Sequence, residues 1–236
     1  MGHPSDWDDV RAALPEYETS ALEIGLAPNW QSSVQQMAEA IPSQSILVGY
    51  SMGARLALGV ALESPENVAA LIFVSGNPGL ETSVARAERR DADDRIAKQI
   101  EEGSIQSFLQ QWYQSNVFAT LPDEIRSSEI ERKLARSSTN WPAIMRTNSV
   151  SQQPNYWPRL KELAMPTLVV AGDLDEKYRK IAHRMEQECS LCDFSAKVIP
   201  DCGHIVHREQ PLALVETIRE FVDGFVDGAN NSRALT

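Results

Sequence analysis

Ser51 stands in Gly49-Tyr50-Ser51-Met52-Gly53, a G-x-S-x-G pentapeptide. An apolar run over 45–49 precedes it, and a helical pattern over 52–63 comes after it. A glycine-flanked turn between a strand and a helix lifts a serine hydroxyl clear of the sheet. The backbone N–H of Met52 then falls at a helix N-terminus, where it can stabilise an oxyanion. Such a serine needs a base and a group to orient that base, in the chain order Ser, Asp, His. Gly172-Asp173-Leu174-Asp175 follows a later apolar run and supplies two carboxylates. Asp175 is read as the orienter, and Asp173 competes with it as a carboxylate that could equally form the turn. Gly203-His204 follows the last apolar run by way of Pro200-Asp201-Cys202 and makes His204 the base. His207 suits a surface or pocket-wall position, and neither His3 nor His183 has a context that suggests chemistry.

These groups need a scaffold that brings three strand ends together. Apolar runs over 45–49, 68–75, 166–172 and 196–199 are short and nearly continuous, as expected of parallel strands covered on both faces. Residues 22–24 are a further short candidate. Helical spacing over 52–63 places Leu56, Ala57, Val60 and Ala61 on one face, and 211–226 does the same with Leu212, Leu214, Val215, Ile218, Phe221 and Val222. Strand–helix alternation predicts an α/β fold, mostly parallel, with helices on both faces. Ligands of such sheets bind beyond the carboxyl ends of the strands, where all three candidate groups emerge. The interval after residue 76 breaks the rhythm: it is rich in charge, glutamine and aromatics and shows no strand. It is too long for a plain crossover and reads as a helical lid. The expected organisation is a core in two parts, 1–76 and 164–227, a lid over 77–163 and a frayed tail over 228–236.

Composition narrows the function classes. The chain has 236 residues, of which 42% are apolar, and a formal net charge of −11. That charge disfavours nucleic acid and anionic membranes as partners, but not a small anionic substrate, which senses only its own pocket. No apolar run has the length of a membrane span, and residues 1–7 do not read as a signal peptide. The cysteines, Cys189, Cys192 and Cys202, form an odd set whose one C-x-x-C pair lacks companions at metal spacing. A reducing cytoplasm is the default expectation.

With Ser51, Asp175 and His204 in this order the chain resembles the α/β-hydrolase superfamily. It is similar in particular to the 2-succinyl-6-hydroxy-2,4-cyclohexadiene-1-carboxylate synthase family, whose members eliminate pyruvate in menaquinone biosynthesis. The segments that carry the likeness are Val48-Gly49-Tyr50-Ser51-Met52-Gly53-Ala54-Arg55, Asn77-Pro78-Gly79-Leu80 with Arg86-Ala87-Glu88-Arg89, and Trp112-Tyr113-Gln114 with Val117-Phe118-Ala119. Gly172 to Tyr178 and Cys202 to Glu209 continue it, the latter as G-H-x-x-H-x-E. The resemblance implies that Arg55, one helical turn after Ser51, and Arg89 and Arg136 in the lid bind substrate carboxylates through guanidinium forks. Arg132 competes with Arg136. Tyr50 and Trp112 would wall the site. In this chemistry Ser51, deprotonated with help from His204, removes a substrate proton and pyruvate leaves; no metal or organic cofactor is needed.

Two segments depart from the family. Its members open with a strand ending in H-G-F, whose backbone supplies a second oxyanion donor. Here Met1 to Trp7 reads as the stretch directly C-terminal to that motif, so an N-terminally truncated chain of low activity is expected. Gly25-Leu26-Ala27-Pro28-Asn29-Trp30 stands where relatives carry D-x-P-G-H-G. Three readings therefore compete: the pyruvate-eliminating lyase, a serine hydrolase of esters or C–C bonds on the same fold, and a non-catalytic remnant. Arg55 and the Trp112 segment favour the first, because an ester hydrolase has no need of an arginine cluster.

Overall fold

A computed structural model of the protein describes residues 2–189 and 193–233, with side chains as far as residue 224. Cys192, half of the C-x-x-C pair, and residues 234–236 of the expected frayed end lie outside the described residues. A single 3-10 turn, Pro4–Trp7, leads into α1 (Asp8–Ala12) and, after an extended stretch, α2 (Trp30–Ala40). Then come β1 (Ser45–Tyr50), α3 (Met52–Glu63) and β2 (Val68–Val74). A helical interval is next: α4 (Ser83–Glu102), α5 (Ile105–Trp112), α6 (Asp123–Leu134) and α7 (Trp141–Thr147), with short 3-10 turns at Asn116–Phe118 and Trp157–Glu162. The chain closes with β3 (Thr167–Gly172), α8 (Glu176–Glu188), β4 (Phe194–Ile199), α9 (Val206–Glu209) and α10 (Pro211–Arg233).

The strands form one parallel sheet in the order β1-β2-β3-β4. Successive side chains of a strand point to opposite faces, and the core divides accordingly. Leu71, Phe73, Val169 and Ala171 pack with α2, α3 and α8. Ile72, Val74, Leu168 and Val170 pack with Val10 of α1, with Leu14 just after it and with Leu214, Val215 and Ile218 of α10. Both faces of β2 and β3 are thus covered, which explains their unbroken apolar runs. β4, at the sheet's edge, instead alternates between half-buried and exposed positions.

One expected strand is absent. Residues 22–24 lie in the extended stretch before α2 and pair with no strand. Leu22 is exposed while Ile24 packs against the α2–α3 side of the core; with Glu23 between them, the segment has one anchoring side chain and no ladder to hold it. The helical interval has its own apolar cluster, including Phe108, Leu109, Tyr113, Phe118, Trp141 and Met145. Ile205 belongs to the same cluster, so these helices rest directly on the loop that carries His204. The end of α6 and the residues just after it are fastened to the N-terminal 3-10 turn by ion pairs from Lys133 (3.5 Å) and Arg136 (2.9 Å) to the buried Asp6. Burial pushes the Asp6 carboxyl up, but Lys133, the His3 N–H and Arg136 outweigh it and hold the pKa at about 2. No helix among the described residues is long and apolar enough to cross a membrane.

Candidate active site

β1 ends at Tyr50 and α3 begins at Met52, so Ser51 makes the whole turn between them. Its backbone takes φ 51°, ψ −105°, a conformation that costs a non-glycine residue about 1–3 kcal/mol. It is pinned from both sides: Ser51 N–H donates to the Val74 carbonyl (2.8 Å), and the Ser51 carbonyl accepts from Arg55 N–H (3.2 Å). Gly49 allows the sharp reversal, because a Cβ there would lie 2.6 Å from the Ala54 Cα. Gly53 has no such role; the space beside it is open. Met52 opens the helix, and its N–H is among those left without an intrahelical acceptor.

The loop after β4 brings His204 back to Ser51. It crosses the end of β3 at Gly172, where a Cβ would meet the Cys202 and Gly203 carbonyls at 2.3 Å. His204 Nε2 lies 3.3 Å from Ser51 Oγ, and Nδ1 lies 2.7 Å from Asp175 Oδ2. The other Asp175 oxygen caps α8 by accepting the Tyr178 N–H at 3.3 Å, so the carboxylate is fixed by the helix it starts. Asp173 does something else: its Oδ1 accepts the Cys202 N–H (3.2 Å) and ties down the loop. The competition between the two aspartates therefore resolves in favour of Asp175 as the partner of His204. The imidazole is buried, with Tyr178 and Tyr50 rings at 4.5 and 5.3 Å and Phe118 edge-on at 6.0 Å.

A cavity of about 190 Å³ opens beside Ser51, with Arg55, Arg89, Lys177, Asn77 and Tyr178 in its wall. Arg55 is buried and donates to Gln153 Oε1 (3.1 Å) and the Asn148 carbonyl (2.7 Å), with its guanidinium 5.4 Å from the Trp30 ring centroid. Burial lowers its pKa to about 10, which leaves it charged at neutral pH. Arg89 pairs with Asp93 at 2.8 Å. Trp112 stands one layer back, stacked on Phe108 and set against Phe118. Arg136 is not in the cavity wall; Asp6 and Ser5 Oγ (2.8 Å) engage it, and its competitor Arg132 likewise turns to Ser5 and Asp6. Arg132 lies in the last turn of α6 and Arg136 just past its end, and the packing of this segment on the N-terminal turn directs both away from Ser51. His207 is not at the surface: it is buried, stacked on Trp7 at 4.7 Å and tilted against Tyr50 at 4.6 Å, and burial drops its pKa to about 3. His3 caps the first turn by accepting the Ser5 N–H, and His183 is exposed. No group of three or more potential metal ligands occurs among the described residues.

Two residues beyond those singled out from the sequence shape the site. The Glu209 carboxylate accepts the Gly203 N–H (2.8 Å) with one oxygen and the Ile205 N–H (2.9 Å) with the other, gripping the backbone on both sides of His204. Its signal was the fixed distance in G-H-x-x-H-x-E: five residues on, one turn of α9 returns the carboxylate to the loop. Lys177, two residues after Asp175, adds a third cation to the cavity wall. A larger open groove, about 370 Å³, runs between β4 and α10 past Lys197 and Glu220, and Ser51, Asp175 and His204 take no part in it.

Known proteins share this architecture. The alpha/beta hydrolase family profile matches residues 1–217. A 2-succinyl-6-hydroxy-2,4-cyclohexadiene-1-carboxylate synthase of Salmonella newport is 31% identical over 176 residues, which is 75% of this chain and 67% of that protein. Protein PHYLLO, chloroplastic, of Arabidopsis thaliana is 31% identical over 221 residues, covering 87% of this chain, although the chain spans only 13% of that much longer protein. Among solved structures, MenH from S. aureus superposes with a TM-score of 0.83 at 26% identity, covering 94% of this chain and 90% of that one. The chain belongs to the alpha/beta hydrolase family and, within it, to the 2-succinyl-6-hydroxy-2,4-cyclohexadiene-1-carboxylate synthases.

Proposed function

We propose that the protein is a lyase of menaquinone or phylloquinone biosynthesis. It eliminates pyruvate from 2-succinyl-5-enolpyruvyl-6-hydroxy-3-cyclohexene-1-carboxylate to give 2-succinyl-6-hydroxy-2,4-cyclohexadiene-1-carboxylate. The observation that carries this reading is the Ser51–His204–Asp175 hydrogen-bonded chain opening into a cavity whose wall bears three cations. In this role His204 takes the Ser51 proton, and Asp175 steadies the imidazolium that results. The Ser51 alkoxide removes a ring C–H proton and becomes the hydroxyl again, the new double bond forms as the C–O bond to the enolpyruvyl group breaks, and the enolate released takes up the proton held by His204 and tautomerises to pyruvate. The Met52 N–H stabilises the negative charge that gathers on a substrate oxygen. Arg55 and Arg89 hold substrate carboxylates, and Tyr50 and Trp112 shape the surroundings of the imidazole. The fold carries a net charge of −11, so the partner is a small anion drawn in by the cavity rather than nucleic acid or a membrane. A cytoplasmic location is part of the same proposal.

The test is direct. Purified protein is given the cyclohexene substrate, and pyruvate is followed with lactate dehydrogenase and NADH. Wild type should release pyruvate, and Ser51→Ala should slow release by about a thousandfold or more. Fast hydrolysis of p-nitrophenyl acetate without pyruvate release would replace the lyase reading by that of a serine hydrolase.

A further inference from the structure

We propose that Lys177 binds a substrate carboxylate in addition to those held by the arginines and sets the preference for polyanionic over neutral substrates. This rests on the lyase reading and adds to it a residue that acts in binding rather than in proton transfer.

The charges around the cavity do not balance. Arg55, Arg89 and Lys177 line it, and no carboxylate is in its wall among the described residues. Two carboxylates adjoin these residues: Asp93 pairs with Arg89 at 2.8 Å, and Asp175 bonds to His204 at 2.7 Å. Arg55 bonds only to neutral acceptors, Gln153 and the Asn148 carbonyl. Lys177 forms no ion pair among the described residues, whereas Lys180 and Arg184 on the same helix pair with Glu176 and with Glu81 and Glu188. Arg55 and Lys177 thus bring positive charge to one small cavity with Asp175, nearby at the start of α8, offsetting part of it, an arrangement that favours an anionic ligand with more than one carboxylate. Partial desolvation of the ammonium at the cavity mouth, on a residue that is exposed overall, and secondarily the Arg89 charge lower the Lys177 pKa, while Asp175 acts the other way. A bound carboxylate relieves that repulsion.

The position is defined as well as the charge. The Lys177 Nζ sits 5.2 Å from the centroid of the Tyr178 ring, and that ring lies 4.5 Å from the His204 ring. Lys177 and Asp175 share the start of α8, so a carboxylate held by Lys177 is registered against the same helix that orients His204. An ammonium is a point charge with three rotatable donors and accepts a carboxylate from several directions. It suits the carboxylate of a flexible side chain, such as a succinyl arm, while the planar Arg55 fork suits a carboxylate fixed to a ring.

The experiment compares wild type, Lys177→Gln and Lys177→Arg by pyruvate release, by p-nitrophenyl acetate hydrolysis and by calorimetric titration with tricarballylate, a tricarboxylate probe. Lys177→Gln should raise KM for the cyclohexene substrate and weaken tricarballylate binding by about tenfold each. The turnover number should stay within about threefold, and hydrolysis of the neutral ester should not change. Lys177→Arg should restore KM and probe affinity to within about threefold of wild type. The proposal is overturned if Lys177→Gln matches wild type in KM and probe affinity, if wild type does not bind tricarballylate, or if turnover and ester hydrolysis fall together with KM, which would mean that Lys177 acts through Asp175 or the fold. Failure of the lyase reading would show separately as wild type releasing no pyruvate, and the tricarballylate comparison would still decide on Lys177.

Discussion

Replacing Glu209 by alanine removes the acceptor for two backbone N–H groups, those of Gly203 and Ile205, which flank His204 at 2.8 and 2.9 Å from the carboxylate. A hydrogen bond to a charged group contributes about 1.5–3 kcal/mol. Glu209 is half-buried, so water can reach part of the vacated site, and the loop should lose roughly 2–4 kcal/mol of restraint in total. That restraint is what keeps His204 Nε2 within 3.3 Å of Ser51 Oγ. A displacement of about 1 Å at a reacting group costs on the order of a hundredfold in rate, and the loop will sample the native position for part of the time. The expected result is a turnover number ten- to a hundredfold lower. KM should stay within about threefold, since Arg55, Arg89 and Lys177 are carried by α3, α4 and α8. Glu209→Gln is the informative companion: its carbonyl satisfies one N–H, but its amide NH₂ faces the other, so the isosteric variant should fall between alanine and wild type. Pyruvate release measured against substrate concentration and pH, with thermal unfolding alongside, separates the outcomes. A turnover number unchanged in Glu209→Ala while the melting temperature drops would refute the positioning argument. Glutamine matching wild type would show that the second acceptor is irrelevant.

Arg55→Ala should lower kcat/KM for pyruvate release at least about tenfold relative to p-nitrophenyl acetate hydrolysis, and equal losses on both substrates would make Arg55 purely structural; its bonds to Gln153 and Asn148 predict a loss of stability in either case. His207 is buried with a pKa of about 3 against 6.5 for a free imidazole. The unfolded chain therefore binds one more proton between those values, and the stabilisation present above pH 6.5 is lost progressively as pH falls toward 3. Urea unfolding at pH 6.5 and 5 should show about 2 kcal/mol of this loss in wild type and a shallower slope in His207→Phe, which keeps the stack on Trp7; identical slopes would refute the assignment. Gly49→Ala drives a Cβ to within 2.6 Å of the helix backbone at Ala54 and should cost about 3 kcal/mol or more, whereas Gly53→Ala, with open space beside it, should leave the melting temperature within a few degrees.

Much of this site can be read from local pattern. Ser51, Asp175 and His204 each follow an apolar run closely, so knowing the strands to be parallel suffices to bring them to one edge. The choice of Asp175 over Asp173 is settled by the structure, in which Asp175 starts α8 and meets His204 while Asp173 turns to the Cys202 N–H. The strand expected at 22–24 fails for a reason invisible locally: a strand exists only with a partner, and no pattern within three residues reports whether one is adjacent. Arg136 fails similarly, because the direction of a side chain just past the end of α6 depends on how that helix docks against Asp6. His207 reads from the sequence as a surface or pocket-wall residue, but Trp7 and Tyr50, distant in sequence, close over it. Lys177 and Glu209 lay within recognised motifs, but their roles rest on charge balance and backbone geometry, and these emerge only in three dimensions.

The placement of the helical interval also sets an order of assembly. β1, α3 and β2 form one contiguous unit, and β3, α8 and β4 another, each closed by a short crossover. The two units join through the β2–β3 ladder, although residues 75–166 separate those strands. Closing so long a segment costs about 1 kcal/mol more in chain entropy than closing either short crossover, and non-local pairing is slow to nucleate. Each half should therefore collapse early, with the ladder between them forming last. Because Ser51 belongs to the first half and Asp175 and His204 to the second, the hydrogen-bonded chain comes into being only at that final step, and recovery of turnover during refolding should lag behind the gain of helix.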